Sequence, residues 1–125
     1  MKPVYSYTRR QAIEDGVLVD LSQWAGSGPD GMMGGFSVPV AVTSGVWSDI
    51  NSIPPSKQGW QDVRGRAHDV LWMAFLAAKR NPGKDRVAFR VILYVGRRSN
   101  QTYWIHIGPG DNGRPVVTIM RPGED

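Results

Sequence analysis

The sequence predicts an α+β fold, and three observations carry that prediction. One apolar stripe of period near 3.6 marks a helix from about Trp60 to Arg80, the period changes to two from Arg86 onward, and clusters of Gly, Asn, Asp and Ser separate the period-two segments. Helices first and an antiparallel run of strands last is the order of an α+β domain, not of alternating βα units. The expected architecture is a C-terminal antiparallel three-stranded meander covered by one long helix, with two short helices. A fourth strand from the N-terminal half is available to join an edge, all within a single domain spanning 1–125.

Each element has a local reason. Thr8-Arg9-Arg10-Gln11 is a capping box, in which the Thr8 hydroxyl accepts from a first-turn N–H while Gln11 reaches back, so a short helix is expected from about Arg9 to Asp15, stopped by Gly16. Val17 to Leu21 reads as a short strand with Val17, Val19 and Leu21 on one face. Gly26 to Gly35 reads as a long Gly-rich loop whose only large apolar residues are Met32 and Met33. Phe36 to Val42 starts extended because Pro39 biases Val38 away from helix. Thr43 or Ser44 can then cap a second short helix carrying Val46, Trp47 and Ile50, ended by Pro54-Pro55.

In the long helix, Val63, Ala67, Val70, Leu71, Ala74, Phe75 and Ala78 share one stripe, and Trp72, Met73 and Leu76 lie outside it, so its second half is expected to pack on more than one side. Asn81-Pro82-Gly83 closes it. From Arg86 to Val95, Val87, Phe89, Val91, Leu93 and Val95 alternate with Ala88, Arg90, Ile92 and Tyr94 as in a half-buried strand. Gly96 to Asn100 is expected as a hairpin loop, Thr102 to Ile107 as the returning strand, Gly108 to Gly113 as a second turn and Val116 to Met120 as the last strand.

Composition excludes several functions. Lys+Arg number 15 against 11 Asp+Glu, a formal charge of +4, which argues against mimicry of nucleic acid and favours an acidic partner. The absence of Cys removes disulfides, thiolate zinc sites, iron–sulfur ligation and a cysteine nucleophile, and two His are too few for a His-rich metal site, so no metal or cofactor is expected. The start of the chain lacks the apolar region of a signal peptide, which points to a cytoplasmic protein. Val70 to Ala78, the longest apolar run, is about half of the ~18 to 20 residues needed to cross a bilayer, so no membrane partner is expected.

Candidate sites are few. Gly26-Ser27-Gly28-Pro29-Asp30-Gly31 matches G-x-G-x-x-G, but it contains a Pro and leads into Met-Met-Gly-Gly instead of a helix, so a pyrophosphate cradle is not expected. His68 and Asp69 are helix neighbours about 100° apart and do not face each other. Arg64 and His68 share a face that continues to Trp72 and Phe75; the plain reading of His68 is a half-buried, hydrogen-bonded residue at the rim of the stripe. The functional reading is a pocket of Arg64, His68, Asp69 and Asp111 beside the Gly-rich loop. On the sheet, Arg90 and Tyr94 lie on the less apolar side of one strand, Thr102, Trp104 and His106 share one side of the next, and Arg97 and Arg98 crown the turn. If the register aligns these sets, they form a basic–aromatic surface fit for bases or for a protein partner; a slip of one residue turns Trp104 inward as core. No set of residues reads as catalytic.

Tyr7-Thr8-Arg9, Gln11-Ala12, Asp15 to Asp20, Val38 to Ala41, Val46-Trp47, Gly65-Arg66, Asp69 to Met73, Gly108 to Gly113, Thr118 to Met120 and Pro122 to Asp125 together make a pattern. By it the chain resembles a family of small uncharacterised proteins carried by plasmids, phages and related bacterial mobile elements, whose genes tend to sit near anti-restriction and other anti-defence genes. The resemblance implies a non-enzymatic accessory protein that counters a host defence system, such as a CRISPR effector, by binding a host defence protein or ribonucleoprotein. Two alternatives stand beside it: a nucleic-acid-binding module using Arg90, Tyr94, Arg97, Arg98, Trp104 and His106, and a nucleotide or small-molecule binder or hydrolase using the pocket residues.

Overall fold

The computed structural model describes residues 7–26 and 35–124. The Gly-rich loop, with Met32, Met33 and most of the G-x-G-x-x-G match, lies outside the described residues apart from Gly26 and Gly35. In chain order the elements are α1 (Arg9–Glu14), β1 (Leu18–Asp20), α2 (Ser22–Ala25), β2 (Val40–Thr43), α3 (Ser44–Asn51), a 3-10 turn (Pro55–Lys57), α4 (Val63–Arg80), β3 (Arg86–Val95), β4 (Arg98–Pro109) and β5 (Pro115–Met120). The class is α+β, as expected, with four helices and one five-stranded sheet among the described residues.

The sheet is larger than the expected meander and is mixed. Its order is β1-β2-β5-β4-β3: β3, β4 and β5 form the antiparallel meander, while β2 pairs parallel with β5 and antiparallel with β1. The N-terminal strand therefore reaches the sheet only through β2. Val40, Ala41 and Val42 are wholly buried, so β2 is an interior strand with both faces covered. A continuous apolar run of this length has no periodicity to reveal it, which is why the sequence marks it only as extended.

The capping box of α1 forms, with the Thr8 hydroxyl accepting from Gln11 N–H at 3.0 Å and Gln11 Oε1 accepting from Thr8 N–H at 2.9 Å. Thr43 caps α3. The long helix begins at Val63, the first residue of its stripe and three residues later than expected, because the Asp62 carboxylate accepts from Gly65 N–H at 2.7 Å and makes Asp62 the N-cap; Trp60 is left outside, 79% exposed. α4 lies chiefly along β3 and less on β4, and β5 meets α3, so the long helix backs one edge of the sheet instead of covering the whole meander. Its second half is not packed all round: Phe75 meets Phe36 edge-on at 5.4 Å, but Trp72 is 40% exposed.

The first hairpin is tighter than expected. Only Gly96 and Arg97 separate the strands; Gly96 takes φ +59° and Arg97 does not, the pattern of a two-residue loop with glycine first. The core lies on the face shared with α3 and α4, where Phe89, Val91, Leu93, Tyr103, Ile105, Val117 and Ile119 meet Val46, Ile50, Ala67, Val70, Leu71 and Ala74. On the opposite face α1 lies beside β1 and reaches β5 through Arg9, which donates to Thr118 Oγ1 and to the Val117 carbonyl at 2.7 Å each. No helix of the described residues is long and apolar enough to cross a membrane.

Candidate functional site

The register of β3 on β4 settles which aromatics face outward. Arg86 pairs with His106, Ala88 with Trp104, Arg90 with Thr102 and Ile92 with Asn100, while Phe89 pairs with Tyr103 on the core side. Arg90, Thr102, Trp104 and His106 therefore share the outer face of the hairpin, the arrangement in which the basic and aromatic sets align. Arg90 and Thr102 are exposed; Trp104 and His106 are half-buried. The Arg86 guanidinium sits 4.7 Å from the Trp104 ring centroid, and the His106 ring approaches Gly108 so closely that a Cβ there would fall 2.8 Å from His106 Cε1.

Three members of the expected set stand apart. A bulge between Ile92 and Val95 interrupts the ladder, and the Tyr94 ring lies 4.3 Å from Lys57 Nζ, on the side of the 3-10 turn. Arg97 occupies the tight turn and Arg98 opens β4. Six residues separate Arg98 from Trp104, about 20 Å of strand, so the arginines of the turn and the aromatic end of the face are two places and not one cluster.

The second expected set is also divided. Arg64, His68 and Asp69 line one open groove of about 720 Å³ between the start of α4 and the end of β3, together with Trp60, Ile92 and Tyr94. Asp111 is elsewhere: its carboxylate accepts from Arg9 N–H at 2.9 Å and Arg10 N–H at 3.0 Å, holding the first turn of α1. Those two bonds, Arg10 first, pull its pKa below the ordinary carboxylate value. Within the groove His68 is half-buried; contrary to the angular expectation, its Nδ1 comes within 3.7 Å of Asp69 Oδ1, because both side chains bend toward each other across the helix surface, and its ring lies parallel to that of Trp72 with planes 5° apart. The Arg64 guanidinium lies 5.9 Å from the Trp24 ring. The proposed four-residue pocket is thus not assembled. Among the described residues no group of three His, Asp or Glu is placed to hold a metal ion.

A polar cluster that the sequence reading missed lies on the core side. Asp49 is 7% exposed; its carboxylate accepts from Tyr103 Oη at 2.8 Å and from Arg121 Nη2 and Nε at 2.7 and 3.3 Å. Burial first, and then the bond to Asp49, push the Tyr103 phenol well above its usual pKa, while the same carboxylate raises that of Arg121. Arg66, 3% exposed, donates to the carbonyls of Ile50, Asp49 and Tyr94 at 2.7, 2.7 and 2.8 Å and to Gln61 Oε1 at 3.0 Å. It fills the orphan carbonyls at the end of α3 and ties them to β3. Each polar group has a partner, and a partnered, buried cluster of this kind is a structural joint. The signal was in the sequence: Arg66 falls inside the α4 stripe, four before Val70, and Asp49 is three after Val46, on the buried face of α3.

The chain belongs to a family of unknown function, DUF6573, which matches residues 2–125. No curated protein and no solved structure matches it.

Proposed function

We propose that the chain is a non-enzymatic binding protein that docks through the outer face of the β3–β4 hairpin. We place it in the cytoplasm of a bacterial host as an accessory of a mobile element that attaches to a host defence protein or ribonucleoprotein, such as a CRISPR effector, and inhibits it. One observation carries the binding reading: Arg90, Thr102, Trp104 and His106 share a face in which no outward position of β3 or β4 is acidic. Such a face suits an acidic partner, and an anchoring indole flanked by arginine is typical of protein interfaces. The role in countering defence rests on the sequence resemblance. Transformation and plaque assays in strains carrying defined defence systems, with and without the gene, test it. Protection against at least one system that is lost in Arg90→Glu/Trp104→Ala is the expected outcome; no protection across a broad panel rejects it.

A second reading, a nucleic-acid-binding module, draws on the same face. The Arg86 guanidinium over the Trp104 ring takes one side of the indole that a base would stack on, which favours a protein partner. Anisotropy titrations with single- and double-stranded oligonucleotides decide between them, since nucleic-acid binding weakens steeply with salt and with loss of Arg90.

A further inference from the structure

Three of the large apolar side chains exposed on this protein, Trp60, Trp72 and Ile92 (79, 40 and 68% exposed), gather along one edge of the sheet. They line two grooves that share Asp69 and Ile92 and so form one trough between α4 and β3, the second being about 530 Å³ and bounded also by Met73 and Arg90. β3 is the outermost strand, and among the described residues nothing pairs with it on that side. Ile107 N–H donates to the Asp85 carbonyl at 2.8 Å, which makes the odd-numbered residues of β3 those that bond to β4. Ala88, Arg90 and Ile92 therefore turn their own N–H and C=O groups to the open edge. The carbonyl of Tyr94, next in that series, is already held by Arg66. Edge strands are ordinarily blunted by charged side chains, Pro, bulges or covering elements; β3 carries Arg86 and Arg90, but no Pro, and its bulge comes only after Ile92.

We infer that this edge receives an extended segment of a protein partner as a sixth strand, with apolar and acidic residues in alternation. The charges on the two walls set that chemistry. Side chains of an added strand that point to the α4 side meet Trp72, Met73 and Asp69, which favour apolar groups and reject carboxylates; those on the other side meet Arg90, which favours carboxylates, with the exposed Ile92 beside it on the same face. A second copy of β3 is the poorer occupant, because it would bring Arg90 to an edge that already carries Arg90. The inference rests on the reading of the chain as a binding protein and names the segment it takes.

The test uses fluorescent peptides of alternating Val and Glu, alternating Val and Lys, and alternating Ser and Glu. The Val–Glu peptide is expected to bind at least about tenfold tighter than the others and to slow amide exchange at Ala88, Arg90 and Ile92. Ala88→Pro removes a donor only from the open edge and should abolish binding; Ile92→Lys should weaken it; Arg90→Glu should shift preference to Val–Lys. Equal binding of the three peptides, no binding, unchanged exchange at those amides, or a dimer in sedimentation that Ala88→Pro dissolves would each overturn the inference. Host protection that survives Ala88→Pro overturns it while leaving the proposed function standing, whereas absence of protection by the unmodified protein strikes at that function alone.

Discussion

Tyr103 and Trp104 are neighbours in β4 and belong to opposite regions of the molecule. Tyr103 faces inward and bonds the buried Asp49, which Arg121 caps from the surface; Trp104 faces outward beside Arg86, Arg90 and His106. Both regions combine arginine with an aromatic ring, the composition of a binding site. What separates them is coverage: α3 and α4 close over one, while on the other face α1 lies beside β1 and reaches β5 through Arg9, and among the described residues Arg90 and Thr102 of the hairpin stay exposed. Arginine and aromatic residues thus hold the fold together where the sheet is covered, and stay at the surface where it is not.

The comparison is tested most severely by Arg66→Met, which leaves the carbonyls at the end of α3 and of Tyr94 without their donor. A loss of about 3–5 kcal/mol in denaturant unfolding is expected. A loss under about 1 kcal/mol would mean that the inner cluster is no more structural than the outer face.

Tyr103→Phe removes one bond to a buried carboxylate and should cost about 2 kcal/mol. Because the folded pKa of Tyr103 is raised, its contribution is complete below the unfolded value near 10 and is lost as pH rises beyond it, by about 1.4 kcal/mol per pH unit until the folded pKa is reached. Alkaline unfolding curves should therefore fall more steeply for the unmodified protein than for Tyr103→Phe. Parallel curves would place Tyr103 outside the bonded cluster.

Asp111 sharpens the comparison at a smaller scale, since it is a surface carboxylate with a structural task. Its lowered pKa gives stability that is present above the ordinary carboxylate pKa and lost as pH falls through the folded value. Asp111→Asn should flatten the acid limb of the stability curve. An NMR titration of the carboxyl carbon with an ordinary midpoint would break the assignment.

The smallest effect on stability, within about 0.5 kcal/mol, is expected for Arg90→Ala on the open face. The same variant should weaken partner capture clearly. A large loss of stability with unchanged capture would reverse the roles given to the two regions.

Much of the fold was legible in local sequence. The capping box at Thr8, the Thr43 cap, the stripe of α4 and the alternation in β3 are short-range patterns, and the elements they predict are present. Pairing of β2 with β5 was not legible, because the partners are some seventy-seven residues apart and a strand covered on both faces carries no alternation. The candidate sites were legible as residue types only. Chemistry alone groups Asp111 with Arg64, His68 and Asp69, whereas the fold gives it to the first turn of α1.

An α+β chain with a long amphipathic helix, a C-terminal meander and an excess of arginine can be read from the residues in order, since periodicity, caps and charge are properties of neighbouring residues. That Tyr103 is sealed and Trp104 turned outward, that Arg66 and Asp49 are joints of the core, and that among the described residues nothing pairs with the outer edge of β3 follow from contacts between distant segments. In a strand of period two, a one-residue change of register exchanges the faces, and the bonds and packing that choose the register come from residues distant in the chain.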